Sequence, residues 1–348
     1  MKRGAERLMM AERFRYGYWV DLANFDHDHP SFYLDPHNAF AQIHQEQPVL
    51  HTQEKGEYWL LTKYDHVQSA LRDWRTFSSD GLEASSIHAQ WPPDAAIAEL
   101  PVSADPPDHT KYRALVAPWF SREKVAPLET ALREDARQLL KRFRENGGGD
   151  AVQDFALPFV LTALARFLAV PVSDAEQFNE FALGTFIGRA ADREVAEDSR
   201  RGLVEYVRHR MAADSIANTH TYFSFLADSR IDGRPLSDEE TLGFGSLAYL
   251  AGVETTVNGI ANSMHHLGTY PADQVLLRGT ISDMEPAVEE LLRLRSPVTL
   301  LGRYTRADGL AAAESGHLYV HVGGAHRRHL RTALGRSLPA TQGRALSG

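Results

Sequence analysis

The sequence predicts a mainly α protein with a small β-rich lobe. Three observations carry that reading. Helical patterning runs through most of 105–295. Inside it, one helical pattern starts at Ser237 and is unbroken until Pro271; about 33 residues at 1.5 Å each give roughly 50 Å, the width of a domain. β-leaning runs occur only near the two ends, at 48–62 and 317–322.

The elements follow in chain order. "PHNAFAQIHQE" (36–46) is predicted as a helix, with Asp35 as its cap and Pro36 at its first position. "PVLHTQEKGEYWLLT" (48–62) places two β runs around Glu54-Lys55-Gly56, a hairpin signal. "KYDHVQSALRD" (63–73) returns to helical spacing, with Val67, Ala70 and Leu71 on one side. The stretch 80–104, with Pro92, Pro93 and Pro101, reads as loop. "DPPDHTKYRALVAPWF" (105–120) opens a helix, with Asp105 as the expected cap and prolines in the first turn. An amphipathic helix over 127–146 stops at Gly147-Gly148-Gly149. Ser173…Glu176 and Ser237…Glu240 are capping boxes, the second opening the long helix. That helix is apolar nearly all round (Leu242, Leu247, Leu250, Val253, Val257, Ile260), so it is expected to be buried and central. "SDMEPAVEELLRLR" (282–295) is a further helix stopped by Pro297, and "HLYVHV" (317–322) is a strand. After Glu314 no acid occurs, and 326–348 reads as an atypical, poorly ordered tail behind one domain spanning 1–325.

Composition narrows the function classes. The 348 residues are 43% hydrophobic and 24% charged, an ordinary globular balance. A formal net charge of -9 disfavours nucleic-acid and anionic-membrane partners. No window approaches about 18 unbroken apolar residues, so no membrane span is expected. The N-terminus lacks the apolar core of a secretory signal, and a cytoplasmic protein is expected. There is no cysteine, which excludes disulfides and thiolate ligation by this chain.

Four constellations carry chemistry. In "AGVETT", Gly252, Glu254, Thr255 and Thr256 interrupt the apolar centre of the long helix. A threonine there can bond back to the carbonyl of Ala251 and loosen the ladder, and a glycine leaves room for a ligand. Together they read either as a notch for a small molecule, with an acid and a hydroxyl, or as residues tolerated in a long helix with Glu254 at the surface. In "EELLR", Glu290 and Arg293 share a helix face and read as an ion pair. In "DPPDHTKYR", His109 and Arg113 are four apart and project from one face, suiting an anionic ligand or a solvated basic surface. Arg303 is a lone cation beside an apolar run. The histidines at 317, 321, 326 and 329 have no accompanying carboxylate, and no metal site is expected from them.

Taken in order, "DPPDHTKYR", the long helix with "AGVETT", "EELLR" followed by "RSPV", and "GRYTRAD" resemble the cytochrome P450 family of the soluble bacterial type. The resemblance covers roughly 30–308, with an echo at 317–327. It implies a P450-like fold, incomplete at its C-terminus, and a haem-dependent monooxygenase by lineage. It assigns Glu254 and Thr255 to proton delivery toward dioxygen, and Ala251 and Gly252 to the dioxygen groove. It assigns His109, Arg113 and Arg303 to the haem propionates, Glu290 and Arg293 to a structural pair, and 174–230 to a lid over the substrate. It also implies a small organic substrate, dioxygen and a ferredoxin-type electron donor as partners. The family's cysteine ligand and its Gly-rich loop are missing, which implies impaired oxygen activation and suggests a truncated or frameshifted gene. The loss is expected to uncover apolar surface on the long helix and to favour aggregation. The alternatives are a haem-free auxiliary or binding protein and a product with no function.

Overall fold

The computed structural model describes residues 21–22, 24–27, 29, 32, 36–53, 57–80, 97–182, 184, 193–217, 220–280, 284–306 and 317–321. Their elements run α1 (Pro36–Glu46), β1 (Val49–Thr52), β2 (Tyr58–Leu61), α2 (Tyr64–Arg72), β3 (Phe77–Ser78), α3 (Asp108–Val116), α4 (Glu129–Glu145), α5 (Leu157–Leu168), α6 (Asp174–Ala182), α7 (Arg193–Ala217), α8 (Tyr222–Asp228), β4 (Arg230–Ile231), β5 (Arg234–Pro235), α9 (Asp238–Thr269), α10 (Pro271–Thr280), α11 (Glu285–Leu294), β6 (Leu300–Thr305) and β7 (His317–His321). Single 3₁₀ or α turns fill 117–128, and a π-helical turn over Ala151–Ala156 leads into α5. The tail over 326–348, with its histidines at 326 and 329, lies outside the described residues, as do Asp35 and most of the loop at 80–104.

The chain divides into two compact units. The first gathers the described residues within Met1–Gln90, Val102–His109 and Thr299–Ala325. It holds a five-stranded sheet in the order β1-β2-β7-β6-β3. β1 and β2 form the expected antiparallel hairpin, with Leu50 opposite Leu60. β7 then lies parallel to β2 and antiparallel to β6, so Leu318 is flanked by Trp59 and Arg303. Ala39, Phe40 and Ile43 of α1 pack with Phe25, Leu50 and Leu60 in one core cluster. Val67 and Ala70 of α2 pack with Leu61 and Leu318 in another. Both helices bury the faces their spacing assigns to the interior.

The second unit gathers the described residues within Trp91–Pro101, Thr110–Val298 and His326–Gly348, and is helical apart from the β4–β5 hairpin. α5 buries Leu157, Val160, Leu161, Leu164 and Leu168, a one-sided stripe at helical spacing. The stretch Ala151–Leu168 is long and apolar enough, by length and composition, to cross a bilayer, although Gln153, Asp154 and Arg166 keep it from being an unbroken apolar run. Its inner face is the floor for α9, and Arg166 forks onto Asp135 of α4 at 2.7 and 2.9 Å.

α9 starts where the sequence places it. The Ser237 hydroxyl accepts from the Glu240 N–H at 3.1 Å, and the Glu240 carboxylate accepts from the Ser237 N–H at 2.8 Å. This reciprocal pair satisfies two donors at the helix start. From Glu240 to Ser246 every residue is buried, but beyond Leu250 burial becomes one-sided, at Val253 and Val257. The all-round apolar pattern therefore overstated burial in the C-terminal half. A second correction concerns α3, which begins at Asp108 rather than Asp105. The Asp105 carboxylate accepts instead from the Ser78 hydroxyl and from the Ser79 N–H at 2.9 Å, and pairs with Arg306 at 3.1 Å. An acid so engaged is not available to cap a helix.

Candidate functional site

The interrupted segment lies in the C-terminal half of α9. The helix is α-helical throughout, with no π-turn at the expected notch. Thr255 bonds back as its chemistry predicts: Oγ1 donates to the Ala251 carbonyl at 2.7 Å. Ala251 and Glu254 are exposed, and Gly252 and Thr255 are half-buried. Ala251 and the acid therefore face solvent, whereas Val253 between them is buried and Gly252 turns toward α5. The glycine does something the sequence reading assigned to a ligand. A Cβ at Gly252 would point at Cδ1 of Leu164, 3.0 Å away, so its missing side chain lets α9 settle on α5.

His109 and Arg113 share a face of α3, as their spacing requires. His109 is half-buried and Arg113 exposed, and among the described residues neither side chain meets an acid. Arg303 stands on β6, half-buried, and among the described residues its side chain makes one hydrogen bond, to the neighbouring Gly302 carbonyl at 2.7 Å. Burial pushes its guanidinium below the usual arginine range, against the pull of Asp105. A cation held out of water beside so little acceptor capacity suits an anionic partner.

Glu290 and Arg293 meet as expected. Nε and Nη2 of Arg293 donate to the Glu290 carboxylate at 2.7 and 2.8 Å. Glu290 is buried and Arg293 is not, so the arginine lends its charge to a carboxylate out of solvent, and the same bonds raise the Arg293 pKa. Asn262 of α9 donates to the Arg295 carbonyl at 3.4 Å, at the end of α11.

Sequence reading saw Glu240 only as a cap. The structure adds an ion cluster around it. Arg234 donates to both of its oxygens, at 2.7 and 2.8 Å, and the Tyr112 hydroxyl donates at 2.9 Å. These bonds, led by Arg234, hold the Glu240 carboxyl down at about 2, well below the usual carboxylate range. A second missed pair is His266–Asp273, buried at 2.9 Å where α9 turns into α10. Residues 112 and 240 are too far apart in sequence for any local spacing rule to join them. Among the described residues no group of three His, Asp or Glu side chains is placed to hold a metal ion. An open apolar groove of about 330 Å³ lies between Val125, Leu132 and Ala136 on one side and Phe159 on the other.

Comparison with known proteins places this geometry. The substrate-free P450 CYP109E1 of Bacillus megaterium matches with a TM-score of 0.72 at 26% identity, covering 85% of this chain and 78% of that one. The Bacillus subtilis bacillaene synthase P450 PksS matches with a TM-score of 0.76 at 24% identity, over 86% and 78%. A mainly helical scaffold with a small sheet, shared with these structures, is thus the fold class. No family model matches the chain. Among curated proteins, the vitamin D(3) 25-hydroxylase of Pseudonocardia autotrophica is 31% identical over 292 residues, 80% of this chain and 69% of that protein. Cytochrome P450 130 of Mycobacterium tuberculosis is 30% identical over 295 residues, 79% and 70%. The chain belongs to the cytochrome P450 family. It spans 64% of the length of a Sinorhizobium fredii P450 and about two thirds of the other curated relatives it matches.

The family implies haem. His109 and the desolvated Arg303 in the first unit, and Arg113 in the second, each have donor chemistry suited to a carboxylate. The iron's side does not fit, because no residue of this sequence is a cysteine and none supplies a thiolate.

Proposed function

We propose that this chain is a P450-type, haem-dependent monooxygenase by lineage, acting on a small organic substrate with dioxygen, and that as its sequence stands it is impaired in oxygen activation. The observation that carries this is the 30–31% identity to curated P450s over about 80% of the chain, and it is supported by Thr255 Oγ1 on the Ala251 carbonyl beside the exposed Glu254 of α9. Haem, when bound, supplies the redox chemistry of oxygen insertion. The chain's own residues do the rest. His109, Arg113 and Arg303 would each offer a donor to the carboxylates of the porphyrin. Thr255, its hydroxyl anchored on Ala251, and the exposed Glu254 hold and relay a proton. The exposed Ala251 keeps the surface beside Thr255 free of bulk, and Gly252 lets α9 settle on α5. Glu290 and Arg293 keep the end of α11 in place. The described residues within 174–230 would supply the substrate-side cover. Electrons are proposed to come from a ferredoxin-type donor, and the protein to work in the cytoplasm. Relatives include the cytochrome P450 monooxygenase PikC of Streptomyces venezuelae, and this supports the reaction class.

The test is optical. Purified protein is titrated with haemin, then reduced and exposed to carbon monoxide. Haemin uptake without a thiolate-type Soret shift, together with substrate turnover far below that of a thiolate-ligated relative, is the expected result. A protein that takes up no haemin sinks the reading and leaves the haem-free auxiliary role. A thiolate-type shift sinks the proposed impairment.

A further inference from the structure

α3 carries two sets of side chains with different engagements. Lys111 and Tyr112 are bound to other parts of the second unit. Lys111 Nζ reaches Asp232 at 2.5 Å, and Tyr112 donates to Glu240 at 2.9 Å while its ring stands edge-on to Phe244 at 5.6 Å. His109 and Arg113 meet no acid among the described residues. At about 100° per residue, the mean direction of the anchors is about 130° round the helix from that of the cations.

The anchors end on one small device. The β4–β5 hairpin, turning through Asp232 and Gly233 with φ of 50° and 80°, supplies both Asp232 and Arg234. Arg234 fixes both oxygens of Glu240, and the Ser237 N–H holds Oε2 at 2.8 Å. The Glu240 carboxylate therefore accepts four hydrogen bonds, and only the one from Tyr112 comes from α3. The cap of α9 needs no tyrosine, and the hairpin needs no lysine to close. Both contacts do act on α3: each resists its rotation about its own axis.

We infer that the β4–β5 hairpin and Glu240 form a rotational clamp on α3, with Tyr112 and Arg234 as positioning residues that set the direction in which Arg113 presents its guanidinium to an anionic ligand. This rests on the reading of Arg113 as a porphyrin-carboxylate cation. A helix end freed to rotate by one residue's worth would carry Arg113 about 100° away, so a bond remote from the ligand governs affinity for it.

The experiment is a double-mutant cycle on the full chain, read by Soret absorbance during haemin titration, with a thermal melt of each variant beside it. Tyr112→Phe and Arg234→Ala are each made alone and on an Arg113→Ala background, and Arg234→Lys tests rescue. Each clamp variant is expected to weaken haemin binding about three- to tenfold in the parent and by less than about twofold when Arg113 is already gone, because the two act as one unit. Arg234→Lys recovers part of the loss. The same loss in both backgrounds, or no loss in the parent, overturns the clamp while Arg113→Ala alone still weakens binding and leaves the haem reading intact. A parent that binds no haemin overturns both. If Tyr112→Phe fails to fold, the half-exposed Arg234 carries the same cycle.

Discussion

Glu240 shows how one carboxylate acquires a pH signature. Its folded pKa of about 2 lies below the ordinary glutamate value of 4.5, so its stabilisation is fully present above 4.5 and is lost as pH falls toward 2. Urea titrations between pH 6 and 2 are expected to show the parent converging on Glu240→Gln through this window. Parallel curves for the two proteins would contradict it. Arg293→Ala leaves the buried Glu290 carboxylate without its fork and is expected to destabilise the protein by about 1–3 kcal/mol, read as a lower urea midpoint at unchanged slope. The pairing of Glu290 with Arg293 was legible because three-residue spacing puts both on one face. The fate of Asp105 was not. Its partners, Ser78, Ser79 and Arg306, come from elsewhere in the chain, and the short-range cap rule had nothing to set against them.

The elements were more legible than their burial. α1, the β1–β2 hairpin, α2 and α9 fall where turn residues, capping boxes and apolar spacing place them. These signals are local, and so is the helix or hairpin they specify. How much of α9 is covered depends instead on its neighbours. Its glycines divide accordingly. A Cβ at Gly243 would run into the Ala98 carbonyl oxygen, whereas one at Gly268 meets nothing within 4 Å. Gly243→Ala is therefore expected to destabilise by about 1–3 kcal/mol through overpacking. Gly268→Ala is expected to stabilise by up to about 1 kcal/mol, since a solvent-facing helical glycine gives up more backbone freedom than alanine. Opposite shifts in the denaturation midpoint check both. Gly252 lies between them: its Cβ would press on one flexible leucine at 3.0 Å. The sequence reading took it as space for a ligand because no spacing rule reveals where α5 packs.

At the scale of the molecule, each unit has its own cohesion. α4 contributes no buried residue although it is 17 residues long and amphipathic. Phe120 at 53% and Val125 at 41% are likewise open to solvent. Concentration-dependent light scattering, reduced by Val125→Lys, is the expected consequence of this uncovered apolar surface. The expected family fold was legible from the order of weak motifs, which no single motif identified. The sheet order was not, since pairing partners from opposite ends leave no mark in either segment. Leu318, fully buried in β7, is the sharpest test of that sheet. Leu318→Asp is expected to cost about 4 kcal/mol or more, because it buries an unpaired charge, and to abolish the near-ultraviolet signal of Trp59 beside it.

The position of β7 also orders events in time. Leu61 and its partner Val320 lie roughly 260 residues apart, so the strand that joins the β1–β2 hairpin to β6 comes from the distal segment. During synthesis the early hairpin leaves the ribosome with the β2 edge bare and waits through the making of all the long helices before a third strand reaches it. For that interval its safety from foreign strands depends on chaperones and on the speed of translation.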